Sequence, residues 1–294
     1  MDTVTLLAPA KINLTLHVTG RRPDGYHTIE SVMQAVDLCD RVTVTLCPPG
    51  EGTLTLTDPS LPTDRRNTAM KAAGIFFDQT GLPFGARIHI EKHIPQQAGM
   101  AGGSADAAAV LAALNFLTGE TQPLDALCRM GEEVGADVPF CIRGGCCLAC
   151  GAGEALTPLP GLPDCRLVAV KPEAGVSTAE AYRRVDASQK LSSPNTQEMV
   201  QALQAGDLRG VGQALQNVFE DCMGLEQVAD IRREMEKFHP LGSRMTGSGS
   251  TVFALFEKDD PAADACAAAL APWGQAYVCR PCRCGPYREK ERIL

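Results

Sequence analysis

Residues 94–115 read IPQQAGMAGGSADAAAVLAALN. Gly99, Gly102 and Gly103 can take backbone angles that a side chain forbids, and the residues from Ala105 onward are strong helix formers. A flexible loop feeding a helix N-terminus is suited to an anion, because unpaired N–H groups and the helix dipole both point at it. No lysine precedes Ser104, so the loop is not G-x-x-x-x-G-K-[ST], and G-x-G-x-x-G is absent there. A tight turn without a ligand would have the same composition. A second candidate lies in residues 11–18, KINLTLHV. Ile12, Leu14, Leu16 and Val18 alternate with Lys11, Asn13, Thr15 and His17, the pattern of a half-buried strand. Lys11 and Asn13 thus stand side by side opposite the core, on a face that is ordinarily solvated. Asp24-Gly25 reads as a turn, which would present Tyr26 and His27 at a surface.

The elements that must position these groups follow from pattern. More strands centre on Val42–Leu46, Leu54–Leu56 and Ile88–Ile90. Asn67 caps a helix running to about Gln79, with Gly81 just beyond. The alanine-rich helix ends near Gly119, and another runs from Pro123 to Val134 before Gly135. Strands followed by helices, without regular βαβ alternation, indicate an α+β fold. TPLPGLPDC, residues 157–165, reads as a junction, dividing the chain into domains 1–160 and 161–294. After it come a strand RLVAVKP, a capping box from Ser177 to Glu180, and helices near 195–205, 207–222 and 225–238. STVFALF at 250–256 is a strand, Pro261–Leu270 a helix, and 275–280 a last strand.

Composition narrows the function. The chain has 294 residues, 45% of them hydrophobic, and a net charge of −8. No Lys or Arg run stands out, which argues against nucleic acid as a partner. No stretch approaches the ~18 apolar residues of a membrane span, and MDTVTLLAPAK does not read as a signal peptide, so a cytoplasmic chain is expected. Thirteen cysteines without a secretion signal are expected to be reduced thiols. They cluster at Cys146, Cys147 and Cys150 and at Cys279, Cys282 and Cys284. CCLAC reads as a buried strand, whereas zinc sites usually pair two ligand clusters on turns. Neither stoichiometric zinc nor a structural disulfide is expected.

PQQAGMAGGSA, from Pro95, resembles the P-x-x-x-G-L-x-x-G-S-S loop of the GHMP kinases, ATP-dependent kinases of small molecules named for galactose, homoserine, mevalonate and phosphomevalonate. APAKINLTLHVTGRRPDGYHTIESVM, GADVPFCIRGG, VSTAEAY and MTGSGSTVFALF are similar to further segments of that family, in the family's order, over residues 8–256. Two positions depart from it. Ala105 replaces the second serine, and Met100 replaces leucine with little change of volume. The cysteine-rich tail after residue 279 has no counterpart.

The resemblance implies a two-domain fold, an N-terminal domain like ribosomal protein S5 domain 2 for ATP and a ferredoxin-like C-terminal domain for substrate. It implies ATP and Mg²⁺ as cofactors. Pro95, Gln96, Gln97, Ala98, Gly99, Met100, Ala101, Gly102, Gly103, Ser104 and Ala105 would wrap the triphosphate, with the Ser104 hydroxyl near phosphate or Mg²⁺ and also capping the helix. Asp106, in the first turn, would only favour the dipole. Asp137 would be the base and Lys11 its cationic partner, although an Asp there also suits a turn cap. Asn13, Tyr26, His27, Tyr182, Gly247, Ser248 and Gly249 would bind substrate. Tyr26 and His27 would read a cytosine ring, and Tyr182 would cover its other face. The implied acceptor is the 2-hydroxyl of a cytidine-diphosphate-linked methylerythritol, in isoprenoid precursor synthesis. A different GHMP alcohol, of mevalonate or homoserine type, stays open, as does a non-catalytic ATP sensor, which the presence of both Lys11 and Asp137 disfavours. No nucleic acid or membrane partner is implied, and the chain would be a monomer or weak homodimer.

Overall fold

The computed structural model describes residues 2–23, 25–188, 192–193 and 195–289. Asp24, half of the expected turn, lies outside them. The chain opens with two long strands, β1 (Thr3–Arg21) and β2 (His27–Cys47), paired antiparallel along their length. Then follow β3 (Thr53–Leu56), α1 (Thr68–Thr80), β4 (Gly85–Glu91), α2 (Gly102–Leu117), α3 (Leu124–Val134), α4 (Val138–Arg143), β5 (Cys146–Cys150) and β6 (Ala155–Leu159). The chain continues as β7 (Cys165–Lys171), α5 (Thr178–Ala187), α6 (Thr196–Ala205), α7 (Leu208–Ala214), β8 (Gln216–Asn217), α8 (Val218–Met223) and α9 (Glu226–Glu236). It ends with β9 (Gly242–Met245), β10 (Val252–Glu257), α10 (Ala262–Leu270) and β11 (Gln275–Cys279).

Two sheets result. In the first, β1 and β2 form the spine. The Arg41–Cys47 half of β2 pairs with β4, its Ser31–Gln34 half with β5, and β8 adds parallel to β1 at Thr15–Leu16. The second sheet has the order β11-β7-β10-β9. Helix α2 lies on β1 and β2, with α1, α3 and α4 packed around it, while α7, α9 and α10 cover the second sheet. Phe76 and Phe140 are fully buried in the first part, Phe253 and Phe256 in the second. Among the described residues no helix is long and apolar enough to cross a membrane.

Several expectations need correction. The face carrying Lys11, Asn13 and Thr15 is not solvated; all three are buried. An extended alternating run exposes its polar face only when nothing packs there, and here the glycine loop and residues near Thr246 do: Lys11 N donates to Met100 O at 3.2 Å, and Asn13 N to Thr246 Oγ1 at 2.9 Å. The helix expected over 207–222 is broken. Asn217 sits extended in β8, where its side chain caps α8 through Phe219 N and donates to Met245 O and Gly247 O, both at 2.8 Å. These contacts to distant backbone outweigh helix propensity. The 177–180 capping box does not close: Ser177 makes no side-chain cap bond, and Glu180 pairs instead with Arg183 and Arg184. Residues 157–159 of the expected junction belong to β6, and β9 was not read from the sequence at all. The chain after residue 161 is not confined to the second sheet, because β8 and the tail both return to the first; Leu7 and Tyr287 exchange backbone bonds of 2.8 and 3.1 Å.

Gln34 stitches these returns together. Buried on β2, it donates to Ala35 O, Gly145 O and Cys282 O, and accepts from Leu162 N at 2.9 Å. Gln34→Leu keeps the volume but removes the partner of Cys282 O and of Leu162 N, while Ala35 O and Gly145 O keep backbone donors at 2.8 Å. Denaturant unfolding should show a loss of about 1–3 kcal/mol, the range for an unsatisfied buried group. An unchanged midpoint would mean that Cys282 O and Leu162 N find water instead.

Candidate active site

A cavity of about 970 Å³ lies between the two sheets. The glycine loop forms one wall. Ala101, in a left-handed conformation (φ 59°), turns the chain into α2, whose start at Gly102 has no side-chain cap. Ser104 is therefore the third helical residue and not the expected N-cap. The N–H groups of this first turn lack intrahelical acceptors, and Gly102, Gly103 and Ser104 all line the cavity. Gly99 (φ +70°) lies against the second glycine loop so closely that a Cβ there would sit 2.1 Å from Thr246 O. Gly247, Ser248 and Gly249 complete that wall, and Ser248 Oγ meets Thr178 Oγ1 of α5 at 3.2 Å.

Lys11 and Asp137 meet in this cavity. Asp137 precedes α4, where its side chain makes no capping bond and stays one-third exposed. Lys11 Nζ lies 3.8 Å from Asp137 Oδ2 and donates to Asn13 Oδ1 at 2.7 Å. Asn13 Nδ2 in turn donates to Ser31 Oγ, and Ser31 Oγ to Thr15 O. The ammonium is almost wholly buried, so this relay aims it. Register shifts in the β1–β2 pairing at Pro9/Ala10 and Asn13/Thr15 bracket the two residues; bulges re-aim side chains at such places.

Tyr26, His27 and Tyr182 line the same cavity. Tyr26 is exposed. His27 Nε2 is 2.7 Å from Asp186 Oδ1, and this hydrogen bond holds the Asp186 carboxyl below its usual value. Tyr182 stacks directly on the His27 ring, 4.4 Å between centroids and 14° between planes. It thus backs His27 rather than standing across a ring-sized gap from it, and burial pushes its hydroxyl up to about 12.

Of the remaining loop residues expected around phosphate, Pro95, Gln96, Gln97 and Ala98 line the cavity, whereas Met100 and Ala105 are buried core residues that do not. The sequence reading missed Lys92 and Asp40. Lys92, just past β4, lines the cavity and pairs with both Asp40 and Asp106 Oδ2, the latter at 2.7 Å. Asp106 is therefore no exposed helix-dipole residue; it is 3% exposed and its Oδ1 lacks a partner. Burial, then the nearby Asp40 carboxylate, pushes its carboxyl up to about 8. A lone Lys two residues before a glycine loop was the available signal, but its partners lie 52 and 14 residues away. Among the described residues no cluster of three His, Cys, Asp or Glu side chains is arranged for a metal. The Ser104 hydroxyl and the Asp137 carboxylate are hard oxygen donors of the kind that suits a Mg²⁺ held mainly by phosphate and water.

The profile of the GHMP kinases N terminal domain matches residues 67–145, and that of the GHMP kinases C terminal domain matches residues 199–274. A 4-diphosphocytidyl-2-C-methyl-D-erythritol kinase of Bacillus pumilus is 44% identical over 252 residues, 85% of this chain and 87% of its own length. One of Clostridioides difficile is 40% identical over 281 residues, 95% of each chain. The crystal structure of a 4-(cytidine 5'-diphospho)-2C-methyl-D-erythritol kinase superposes with a TM-score of 0.79 at 34% identity, covering 95% of this chain and 99% of that one. Homoserine kinase from Cytophaga hutchinsonii shares the fold, with a TM-score of 0.81 at 21% identity over 98% and 97% of the two chains.

Asp106 makes stability depend on pH. Its carboxyl takes a proton at about pH 8 in the folded chain, against an ordinary value of 3.8. Between those values the folded state binds more protons than the unfolded state, so stability falls as pH rises through that window. Asp106→Asn should flatten this fall, as read by denaturant midpoints from pH 5 to 8.5. An equal slope in the variant would show that Asp106 is ionised throughout.

Proposed function

This chain belongs to the GHMP kinase family, and within it we propose that it transfers the γ-phosphoryl group of ATP to the 2-hydroxyl of 4-diphosphocytidyl-2-C-methyl-D-erythritol, a step in making isoprenoid precursors. The observation that carries the reading is one cavity joining the uncapped α2 N-terminus, the Lys11–Asp137 pair and the Tyr26–His27 corner, in a chain 40–44% identical to such kinases over most of its length.

Phosphoryl transfer needs alignment and charge neutralisation more than covalent chemistry. The backbone N–H groups of the glycine loop hold the triphosphate at the positive end of α2. Ser104, with Asp137 as a further oxygen donor, would hold the Mg²⁺ that accompanies the nucleotide, and that ion would supply neutralisation of phosphate charge. Asp137 accepts the proton of the acceptor hydroxyl as the new O–P bond forms. Lys11, fixed by Asn13, stands beside that carboxylate and stabilises negative charge on the reacting oxygens. Asp186 at His27 Nε2 favours the tautomer with the proton on that nitrogen, leaving Nδ1 to accept from the exocyclic amine of cytosine. Tyr26 stacks on the base, while Tyr182 braces the His27 ring from behind. We divide the chain into an ATP-binding and catalytic part, 1–160, which also carries Tyr26 and His27, and a second part, 161–294, which brings Tyr182 and Gly247–Gly249 to the substrate side. The reaction is assigned to the cytoplasm and to a monomer or weak homodimer.

ADP release should be seen with the cytidine substrate and not with mevalonate, homoserine or galactose. Turnover of mevalonate alone would sink the assignment. His27→Ala should raise KM for the cytidine substrate by about tenfold or more, the worth of one good hydrogen bond, and leave KM for ATP nearly unchanged.

Asp137→Asn should lower kcat by about 10²–10⁴-fold, the usual range for a general base. Lys11→Met should lower it comparably while ATP still binds. The double variant should be little worse than the worse single one, because the two act as a unit; fully multiplicative losses would show that they work separately.

A further inference from the structure

The tail beyond β11 crosses back from the second sheet to the first. Arg280 N donates to Asp37 Oδ1 at 2.7 Å, Cys282 N to Ala35 O at 2.8 Å, and Gln34 holds Cys282 O. In this stretch Cys282 Sγ and Cys284 Sγ are 3.8 Å apart. Cys282 is 6% exposed and Cys284 half-buried. The backbone around them has no slack. A Cβ on Gly144 would lie 1.9 Å from Cys284 C, and one on Gly285 would lie 2.0 Å from Ile142 O. The segment is thus wedged against the C-terminal end of α4, the six-residue helix that Asp137 opens.

We propose that Cys282 and Cys284 are a peroxide-sensitive dithiol that closes to a reversible disulfide, and that closure displaces α4 and with it Asp137. The two sulfurs, 3.8 Å apart, must close to about 2.05 Å, and because the backbone of 284–285 lies directly against Gly144 and Ile142, any backbone shift in that approach is passed to the end of α4. Cys282 differs from the other cysteines, Cys284 included, whose thiol is pushed up by its hydrogen bond with Cys282 and by burial. Burial pushes the Cys141, Cys146, Cys165, Cys266 and Cys279 thiols up, whereas the hydrogen bond with Cys284 draws Cys282 down to about 7. The thiolate is the nucleophile, and Cys282 is the member of the pair whose ionisation the contact favours. Its sulfur attacks one oxygen of hydrogen peroxide. The O–O bond breaks, and the leaving hydroxide takes a proton to become water, leaving Cys282 as a sulfenic acid. The Cys284 sulfur then attacks the Cys282 sulfur. The S–O bond breaks, and hydroxide leaves with the Cys284 proton as a second water. Two thiols and one peroxide give one disulfide and two waters, and a dithiol reductant reverses the change. The disulfide is a conditional modification; in this structure no disulfide joins any of the thirteen cysteines.

The coupling to α4 rests on the role assigned to Asp137; disulfide formation does not. The test treats the full chain with near-stoichiometric hydrogen peroxide, then reads tail-peptide mass and phosphoryl transfer in parallel. Peptide mapping should show loss of two hydrogens within the Cys282–Cys284 peptide. The kcat should fall by about tenfold or more, since a shift of about 1 Å in a catalytic group costs up to about 10²-fold, and dithiothreitol should restore both. Cys284→Ser should trap a dimedone-reactive sulfenic acid on Cys282, and Cys282→Ser should keep its kcat under peroxide. A disulfide from Cys39 or the β5 cysteines in place of this one would overturn the site. Tail-disulfide formation with unchanged kcat would overturn the link to α4, and a wrong acceptor assignment would leave the mass result intact.

Discussion

Lys11 is a cation taken almost wholly out of water, and much of the surrounding structure answers to that fact. A buried charge is tolerated only when it is paired and hydrogen-bonded. Here one bond comes from Asn13 and a longer attraction from Asp137, at 2.7 and 3.8 Å. Asn13 can serve only because Ser31 holds its amide and Thr246 its backbone. The irregular β1–β2 pairing, the return of the chain near residue 246 and the turn into α4 therefore converge on one ammonium. The more distant partner is also the more exposed one. Asp137 is the side of the pair that a hydroxyl can reach.

The glycine loops supply the second constraint. Gly99 and Gly247 approach so closely that neither has room for a Cβ, and both have positive φ, which side chains rarely adopt. Contact between these loops brings the first sheet and the second together and walls the cavity. Beneath the first loop, Lys92 joins Asp40 and Asp106 in a buried cluster with one cation and two carboxyls. One ammonium cannot neutralise two buried carboxylates, so a proton held by Asp106 relieves the excess negative charge beside the site assigned to triphosphate.

The tail extends the same logic to the far end of α4. Helix α4 has six residues, with Asp137 at one end and Gly144 against Cys284 at the other. The tail is thus packed against the end of the helix opposite Asp137.

The sequence alone was enough for chemistry carried by local backbone. Gly99, Gly102 and Gly103 before an alanine run identify an anion-suited helix start, Asn67 and Gly81 bracket α1, and CCLAC is a buried strand, because glycine conformation, capping and apolar runs act over a few residues. The order of motifs likewise carried the family. Tertiary structure decided whatever depended on distant neighbours. Alternation over 11–18 correctly divided two faces, but only packing of Met100 and Thr246 buried the polar one. Ser104 lost its cap role because Ala101 turned the chain earlier. The 207–222 helix broke where Asn217 found partners at Met245 and Gly247. Asp106 changed from dipole companion to protonated acid because Lys92 and Asp40 came to it from β4 and β2. Pattern specifies which face a residue takes; burial, charge pairing and hence pKa are set by what the folded chain lays upon that face.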